Sequence, residues 1–263
     1  RQASYITHNN KLEFFWTAIP AVVLMVLISY GLSVWGKIVN QDISDAMVVE
    51  IYAKQFNWTA RYAGADNQLG RADVRFVGGK NELGVIAQTT KNNQVENLDK
   101  KIENLNSDLI NSTNPAEKKI ISKRLEKLEK KKKTLMTYFI TTPMDKLMSA
   151  EDDIVTKELH LPVGKKVLFK FRSQDVIHSA YLPHFRVQMN CVPGTTTQFA
   201  FTPTITTEDM KKELDNDTFE YVILCNKICG AAHYNMQMKV IVETEEEYNA
   251  WLETQDQTKI SNL

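Results

Sequence analysis

Hydrophobic and polar positions divide the chain into four regimes. From Phe14 to Gly36 the run FFWTAIPAVVLMVLISYGLSVWG carries 23 residues without a charge, enough for a helix to cross a hydrocarbon core about 30 Å thick. Trp16 and Trp35 stand near its ends, and Lys11 and Lys37 bracket it, a placement that membrane interfaces favour. The run is longer than the apolar segment of a secretory signal, and it lacks a small-residue cleavage pattern. Pro20 falls early in it, where it either kinks the helix or occupies the first turns. The flanking lysines balance, so charge alone does not orient the span.

Residues 47 to 77 change to β-branched and aromatic runs, MVVEIYAKQFNWTARYAG and ADVRFV, broken by Gly, Asp and Asn, and these predict strands. Residues 91 to 139 change again. Val95, Leu98, Ile102, Leu105 and Leu109 recur at spacings of 3 and 4, and Ile121, Leu125, Leu128, Leu135 and Phe139 form a second stripe interrupted by Lys132. That pattern predicts a helical hairpin with a coiled-coil-like seam. Asn114, Pro115 and Glu117 mark the start of its second arm. From Asp153 the runs DIVTKELHLPVG, KKVLFKFRS, TTTQFAFTP, FEYVILC and MQMKVIVE predict strands of an antiparallel sandwich or barrel. Thr244 and Glu247 then form a capping box for a short terminal helix.

The fold expected is therefore mainly β, anchored by an N-terminal transmembrane helix and carrying an inserted α-helical hairpin. Its divisions are an N-terminal segment at 1–12, the transmembrane helix at 13–40 and a first β part at 41–80. The inserted hairpin at 81–150, the main β part at 151–243 and a helix and tail at 244–263 follow.

Charge adds an asymmetry. Overall the 32 basic and 32 acidic residues cancel, which argues against a nucleic-acid binder. Residues 91 to 133, however, hold 12 Lys and Arg against 7 Asp and Glu, whereas residues 151 to 263 hold 11 against 17. The basic run at 130–133 reads first as a solvated helix face and second as a docking surface, and the acidic last third would steer a basic partner.

Chemistry concentrates in CNKICGAAHYNM, Cys225 to Met236. Three cysteines cannot all pair, and their spacing is not that of a disulfide framework. Cys225 ends an apolar strand and Gly230 follows Cys229, so a loop joins the two thiols and lets both face one point. Cys, His233 and Met236 in that order suit copper, with thiolate and imidazole as strong donors and thioether as a weak axial one. A second cysteine allows two thiolates to bridge two metals, provided another histidine arrives from elsewhere, and His178 in SQDVIHSAYLP is the candidate. Spacing alone leaves open a zinc site of two Cys and two His, and a reversible Cys225–Cys229 disulfide. Covalent haem is disfavoured because the cysteines are four apart. Cys191 reads as a free buried thiol, and Asp175 as either a support for the His178 segment or a turn residue.

DVIHSAYLPHFRVQMNCVPG and CNKICGAAHYNM together resemble the two copper-ligand segments of subunit II of the haem-copper cytochrome c oxidases; LEFFWTAIP and KQFNWTARY are similar to that family's second transmembrane helix and aromatic strand. The resemblance covers most of the chain outside residues 80 to 150. It implies a cupredoxin-like β-sandwich or barrel with a binuclear copper A centre. Cys225 and Cys229 would bridge the coppers, His178 and His233 would be the imidazole ligands, and Met236 and the Lys227 backbone carbonyl the axial ones. It further implies electron transfer from a cytochrome c or c-type haem subunit to haem a, then to haem a3 and copper B of subunit I. Subunit III is a further partner, and the copper domain would face the periplasm of a bacterial cell membrane in preference to the mitochondrial intermembrane space. Glu13 matches a glutamate near a proton-uptake path.

Three departures from the family pattern alter what it implies. Lys227 occupies the place of a glutamate that helps bind magnesium against subunit I, which puts that ion in doubt. Phe56 stands where the family has the tryptophan that receives electrons, with Trp58 as the second aromatic. Gln188 and Asn190 replace a lysine and an aspartate, which points to a tethered or subunit-bound donor. A membrane-anchored copper or zinc protein outside the oxidase family is the alternative.

Overall fold

The computed structural model describes residues 5, 7–78, 81–143 and 149–262. Part of the expected 1–12 segment (residues 1–4 and 6) and the 144–148 end of the inserted segment lie outside them. The chain divides into two compact units, residues 1–44 and 45–263.

The first unit is dominated by α1 (Asn10–Val39), which runs unbroken through Pro20. Its 30 residues span roughly 45 Å at 1.5 Å per residue. Asn9 caps it by accepting from the Leu12 amide at 3.1 Å. Its apolar window has a mean hydropathy of 2.1 and none of it is buried within the unit. An all-round apolar helix with no protein covering it needs an apolar solvent.

The second unit is a β-sandwich. Its strands are β1 (Met47–Lys54), β2 (Asn57–Tyr62), β3 (Ile154–Thr156), β4 (Leu159–Pro162), β5 (Val167–Ser173), β6 (His178–Leu182), β7 (Val187–Cys191), β8 (Thr197–Phe201), β9 (Tyr221–Cys225) and β10 (Gln237–Glu243). One sheet has the order β3-β2-β1-β5-β8 and the other β4-β10-β9-β6-β7. The expected all-antiparallel arrangement is corrected at two places, because β1 pairs with β5 and β10 with β4 in parallel. Alternation of apolar residues signals a strand but does not name its partner. Val49, Ile51, Ala53, Trp58, Ala60 and Tyr62 from the first sheet meet Leu161, Ala180, Ile223, Met238 and Val240 from the second in one core. Each fully buried aliphatic side chain there contributes about 1.5–3 kcal/mol.

The other face of β1 is buried as well. Tyr52 packs with Leu83, Val85, Ala87, Ala150 and Ile260, and Glu50 lies in a charge network. Arg61 Nε is 2.8 Å from Glu50 and its Nη1 3.2 Å from Asp153, while Arg172 holds the other Glu50 oxygen. Burial pushes the Asp153 carboxyl up to about 7, although Arg61 and the Gly70 amide pull it down. Burial acts on Glu50 too, but the two guanidinium groups outweigh it and hold its carboxyl below the usual range.

The inserted segment forms α2 (Gln88–Asn111) and α3 (Pro115–Thr141). Leu98, Leu135 and Phe139 bury against Phe76 and Ile86 at the hairpin's base, and Ile121 and Leu125 line α3 nearer the tip. Lys132 interrupts the apolar stripe because its ammonium pairs with Asp99 of α2. Asn114 caps α3 through the Ala116 amide, whereas Glu117 accepts from Ser112 Oγ at 2.8 Å and does not close a capping box. The strand expected in ADVRFV is a 3-10 turn, Val74–Phe76. Asp73 accepts from both the backbone amide and the guanidinium of Arg75, and these local bonds outcompete a sheet ladder. A short helix missing from the sequence reading, α4 (Thr207–Leu214), starts where Thr206 Oγ1 accepts from the Asp209 amide. The Thr244–Glu247 capping box opens α5 (Glu245–Glu253).

Candidate metal centre

The ligand candidates stand at the ends of neighbouring strands of the second sheet. His178 begins β6, where its Cα partner is Cys191 of β7, and Cys225 ends β9, opposite Ala180 of β6. Beyond Cys225 the chain turns away; the Asn226 amide donates to the Ser179 carbonyl at 2.9 Å, and Gly230 takes φ +145°. A 3-10 turn at His233–Asn235, closed by the Met236 amide donating to the His233 carbonyl at 3.2 Å, puts His233 and Met236 on the same side. The Cys225 amide donates to the Met236 carbonyl at 3.0 Å, which brings the last candidate back to the first.

The donor atoms converge. Single donor atoms of His178, Cys225 and Cys229 lie within 4.8 Å of one another. Cys225 Sγ is 3.7 Å from Cys229 Sγ and 3.8 Å from His178 Nδ1. On the other side Cys229 Sγ is 3.7 Å from His233 Nδ1 and 3.8 Å from Met236 Sδ. The Cys225 thiol donates to the Lys227 carbonyl at 3.2 Å, so that carbonyl also faces the cluster. All six sequence-predicted groups therefore meet in one place.

These separations fit a soft cation. Thiolate and imidazole at about 2.3 and 2.0 Å from a four-coordinate ion stand roughly 3.5–3.8 Å apart, and the sulfur and nitrogen atoms here already do so. A disulfide would need about 2.0 Å, and the three cysteines are free. Burial pushes the Cys229 thiol up to about 11, with the neighbouring Cys225 adding to the rise. Without a metal the Cys229 side chain is thus a thiol at neutral pH, and a cation bound there would release its proton.

His178 is wholly buried and its tautomer is set from outside. Its Nε2 is 2.9 Å from Asp175 Oδ1, which leaves Nδ1 free to face Cys225. Burial would raise the Asp175 carboxyl, but hydrogen bonds from the Gln55 amide and the His178 ring outweigh it and lower it. Both readings for Asp175 hold, because it sits in the bend between β5 and β6, where Oδ1 accepts from the Val176 amide at 2.7 Å and also contacts His178. Trp58 packs edge-on against His178 with ring centroids 6.1 Å apart, and its indole N–H donates to the Met236 carbonyl at 3.3 Å. Phe56 is half-buried and covers Gly230, where an added Cβ would meet its ring at 2.8 Å. Cys191 is buried with its thiol pushed up to about 12 by desolvation. The signal for Gln55, which sequence reading passed over, is its place at the two-residue turn between two aromatic strands.

Lys227 and Ile228 project outward and are exposed, as is Tyr234. An exposed ammonium at 227 offers no oxygen, so this position does not fit a magnesium ligand. Gln188 reaches Ser179 Oγ and Asn190 Oδ1 on the surface of β7. Glu13 lies in the first unit, where its carboxylate accepts from the Asn9 amide at 3.3 Å as part of the helix cap.

Comparison with known proteins gives two family matches: "Cytochrome C oxidase subunit II, periplasmic domain" over residues 130–244, and "Cytochrome C oxidase subunit II, transmembrane domain" over residues 1–34. The chain is 32% identical over 257 residues to the alternative cytochrome c oxidase subunit 2 of Bradyrhizobium diazoefficiens, covering 97% of this chain and 67% of that one. It is 26% identical to the cytochrome c oxidase subunit 2 of Thermostichus vulcanus, covering 92% of this chain and 60% of the relative. Among solved structures, the periplasmic domain of subunit II of cytochrome oxidase from Bradyrhizobium japonicum aligns with 80% of this chain and 94% of its own, at 15% identity and a TM-score of 0.39. The transmembrane match and the uncovered apolar surface of α1 together make this a membrane-anchored protein.

Proposed function

The chain belongs to the cytochrome c oxidase subunit II family, and from that membership we propose that it accepts electrons from a cytochrome c and passes them to haem a of subunit I. Oxygen would be reduced to water there, coupled to proton translocation. The observation that carries this reading is the convergence of two thiols, two imidazoles, one thioether and one carbonyl. Six donors exceed what a single four-coordinate ion takes, whereas two ions sharing both thiolates would use all six, which favours a binuclear copper A site over zinc. Cys225 and Cys229 would be shared, His178 and His233 would each serve one ion, and Met236 and the Lys227 carbonyl would be the weak donors.

Copper bound by this set would supply a one-electron relay with its charge spread over two metals. The protein's part is to hold the ligands still in both oxidation states. Strand ends fix Cys225 and His178, Asp175 fixes the His178 ring, Trp58 packs against that ring and Phe56 against Gly230. Family membership supports Phe56 and Trp58 as the electron-entry residues. Neutral Gln188 and Asn190 on β7 support a donor that is tethered or bound as a subunit in preference to a freely diffusing basic one. Family membership supports a bacterial cell membrane location with the β-sandwich on the periplasmic side, contact with subunits I and III, and a proton-uptake role for Glu13. Lys227 supports the absence of the family magnesium from this position.

Purified, copper-loaded protein should be purple, absorb in the near infrared and give a multi-line copper resonance. A blue single-copper spectrum, or a colourless zinc protein, would refute the two-copper reading. Rapid, strongly salt-dependent oxidation of soluble cytochrome c by an enzyme holding no other c-type haem would refute the tethered donor. Unchanged turnover and proton uptake in Glu13→Gln would remove Glu13 from the proton path.

A further inference from the structure

We propose that Gln55 is a positioning residue for the metal centre, a cross-brace that fixes the distance between the His178 and Cys229 arms. The inference rests on the metal-centre reading above and extends it to a residue of the opposite sheet. His178 and Cys229 come from separate segments, and nothing covalent near the site joins them. Gln55 touches both. Its backbone amide donates to Asp175 Oδ2 at 2.8 Å, and the other oxygen of that carboxylate is 2.9 Å from His178 Nε2. Its side-chain amide donates to the Cys229 carbonyl. One residue in the β1–β2 turn therefore holds one arm by its main chain and the other by its side chain.

Two further observations make the contact a built one. Gly230 follows Cys229 at φ +145°, and a Cβ there would lie 2.8 Å from Phe56 and 2.9 Å from Gln55 Nε2, so the loop approaches the turn as closely as only glycine permits. The turn itself is rooted in the rigid β1–β2 hairpin, with Lys54 paired to Asn57 and Trp58 buried beneath His178. A relay that changes charge without moving its ligands needs such outer contacts, because the donor atoms alone leave the arms free to drift apart.

The test replaces the donor with an isosteric acceptor. In Gln55→Glu the carboxylate faces the Cys229 carbonyl and cannot donate, while the backbone bond to Asp175 remains; Gln55→Ala removes the side chain altogether. In the assembled, copper-loaded oxidase we expect both variants to lose copper to a chelator about tenfold or more faster, with an altered copper hyperfine pattern and a shifted midpoint potential. In the full chain stripped of metal, the Cys229 thiol should be alkylated several-fold faster, with the unfolding midpoint unchanged. Wild-type copper loss, hyperfine pattern and alkylation rate in Gln55→Glu would overturn the brace. A lowered unfolding midpoint without spectral or potential change would reduce Gln55 to a folding contact and overturn it equally. A wild-type protein lacking the two-copper signature would refute the copper reading, and the metal-free alkylation arm would still decide the brace.

Discussion

Asp153 offers a quantitative test of the buried charge network behind β1. Its side chain is wholly buried, Oδ2 takes Arg61 and the Gly70 amide, and Oδ1 has no hydrogen-bond partner among the described residues. An ionised carboxylate with one bare oxygen is costly in such a place, and its folded value of about 7 stands above the ordinary 3.8. Between those values the unfolded chain releases the proton while the folded one keeps it. The group therefore costs nothing below about pH 4, and stability falls as pH rises toward 7, after which it levels off. Three units at about 1.4 kcal/mol each give an upper bound of roughly 4 kcal/mol, and the interval from pH 5 to pH 7 should contain about 2–3 kcal/mol of it. Glu50 acts in the opposite sense. Its folded value is lowered, so its contribution is complete above the ordinary 4.5 and is lost only on further acidification, below that interval.

Urea unfolding of the full chain in detergent at pH 5, 6 and 7, for wild type and Asp153→Asn, reads this directly. Asparagine retains an oxygen for Arg61 and Gly70 but does not titrate. At slopes of about 1–3 kcal/mol per molar urea, the wild-type midpoint should fall by roughly 1 M relative to the variant between pH 5 and pH 7. Parallel pH curves for the two proteins would show that Asp153 is ionised throughout and that Arg61 outweighs its burial.

Three other perturbations follow from particular contacts. Asp175→Asn weakens the partner that orients His178, and copper affinity measured by chelator competition should fall about 10–100-fold; an unchanged affinity would mean that Trp58 and the strand end suffice. Gly230→Ala drives a methyl against Phe56 in a backbone region that L residues avoid, and should lower stability by about 1–3 kcal/mol together with faster copper loss; a wild-type melting curve would refute the close approach. Phe139→Ala empties the hairpin base, where the ring stacks on Phe76 at 6.2 Å, and should cost about 3–5 kcal/mol, seen as protease cleavage within α2 and α3 before the sandwich unfolds. Simultaneous loss of both would contradict an independently opening hairpin.

Features confined to short sequence intervals were legible in advance. The loop from Cys225 to Met236 holds most of the donors within twelve residues, and the seam from Val95 to Phe139 repeats every three or four, so local periodicity revealed both. Pairing escaped, because the parallel neighbours β1 and β5 are separated by the whole inserted hairpin and alternation carries no record of the partner. ADVRFV resembles a strand by composition, yet Asp73 and Arg75 satisfy each other locally and turn it. Lys132 appeared as a flaw in the seam because its partner, Asp99, is on the other helix. Gln55 is separated by 174 residues from the carbonyl it holds, and no spacing rule connects the two.

That division between local and distant information follows from what an electron-transfer site demands. Ligand identity is local, because one loop between the ends of neighbouring strands can bring thiols, imidazole and thioether together within a few turns. Ligand immobility is less local, since it draws on distant residues as well as on the loop's own backbone bonds. Here the restraint comes from the opposite sheet: Trp58 of β2 lies against His178 and holds the Met236 carbonyl, Gln55 holds Cys229, and Phe56 presses on Gly230. The sandwich thus closes over its own metal loop. If rigidity is what the fold supplies, substitutions in the β1–β2 turn should change copper retention and spectrum while leaving every donor atom in place, whereas substitutions of equal size on the hairpin should leave both untouched.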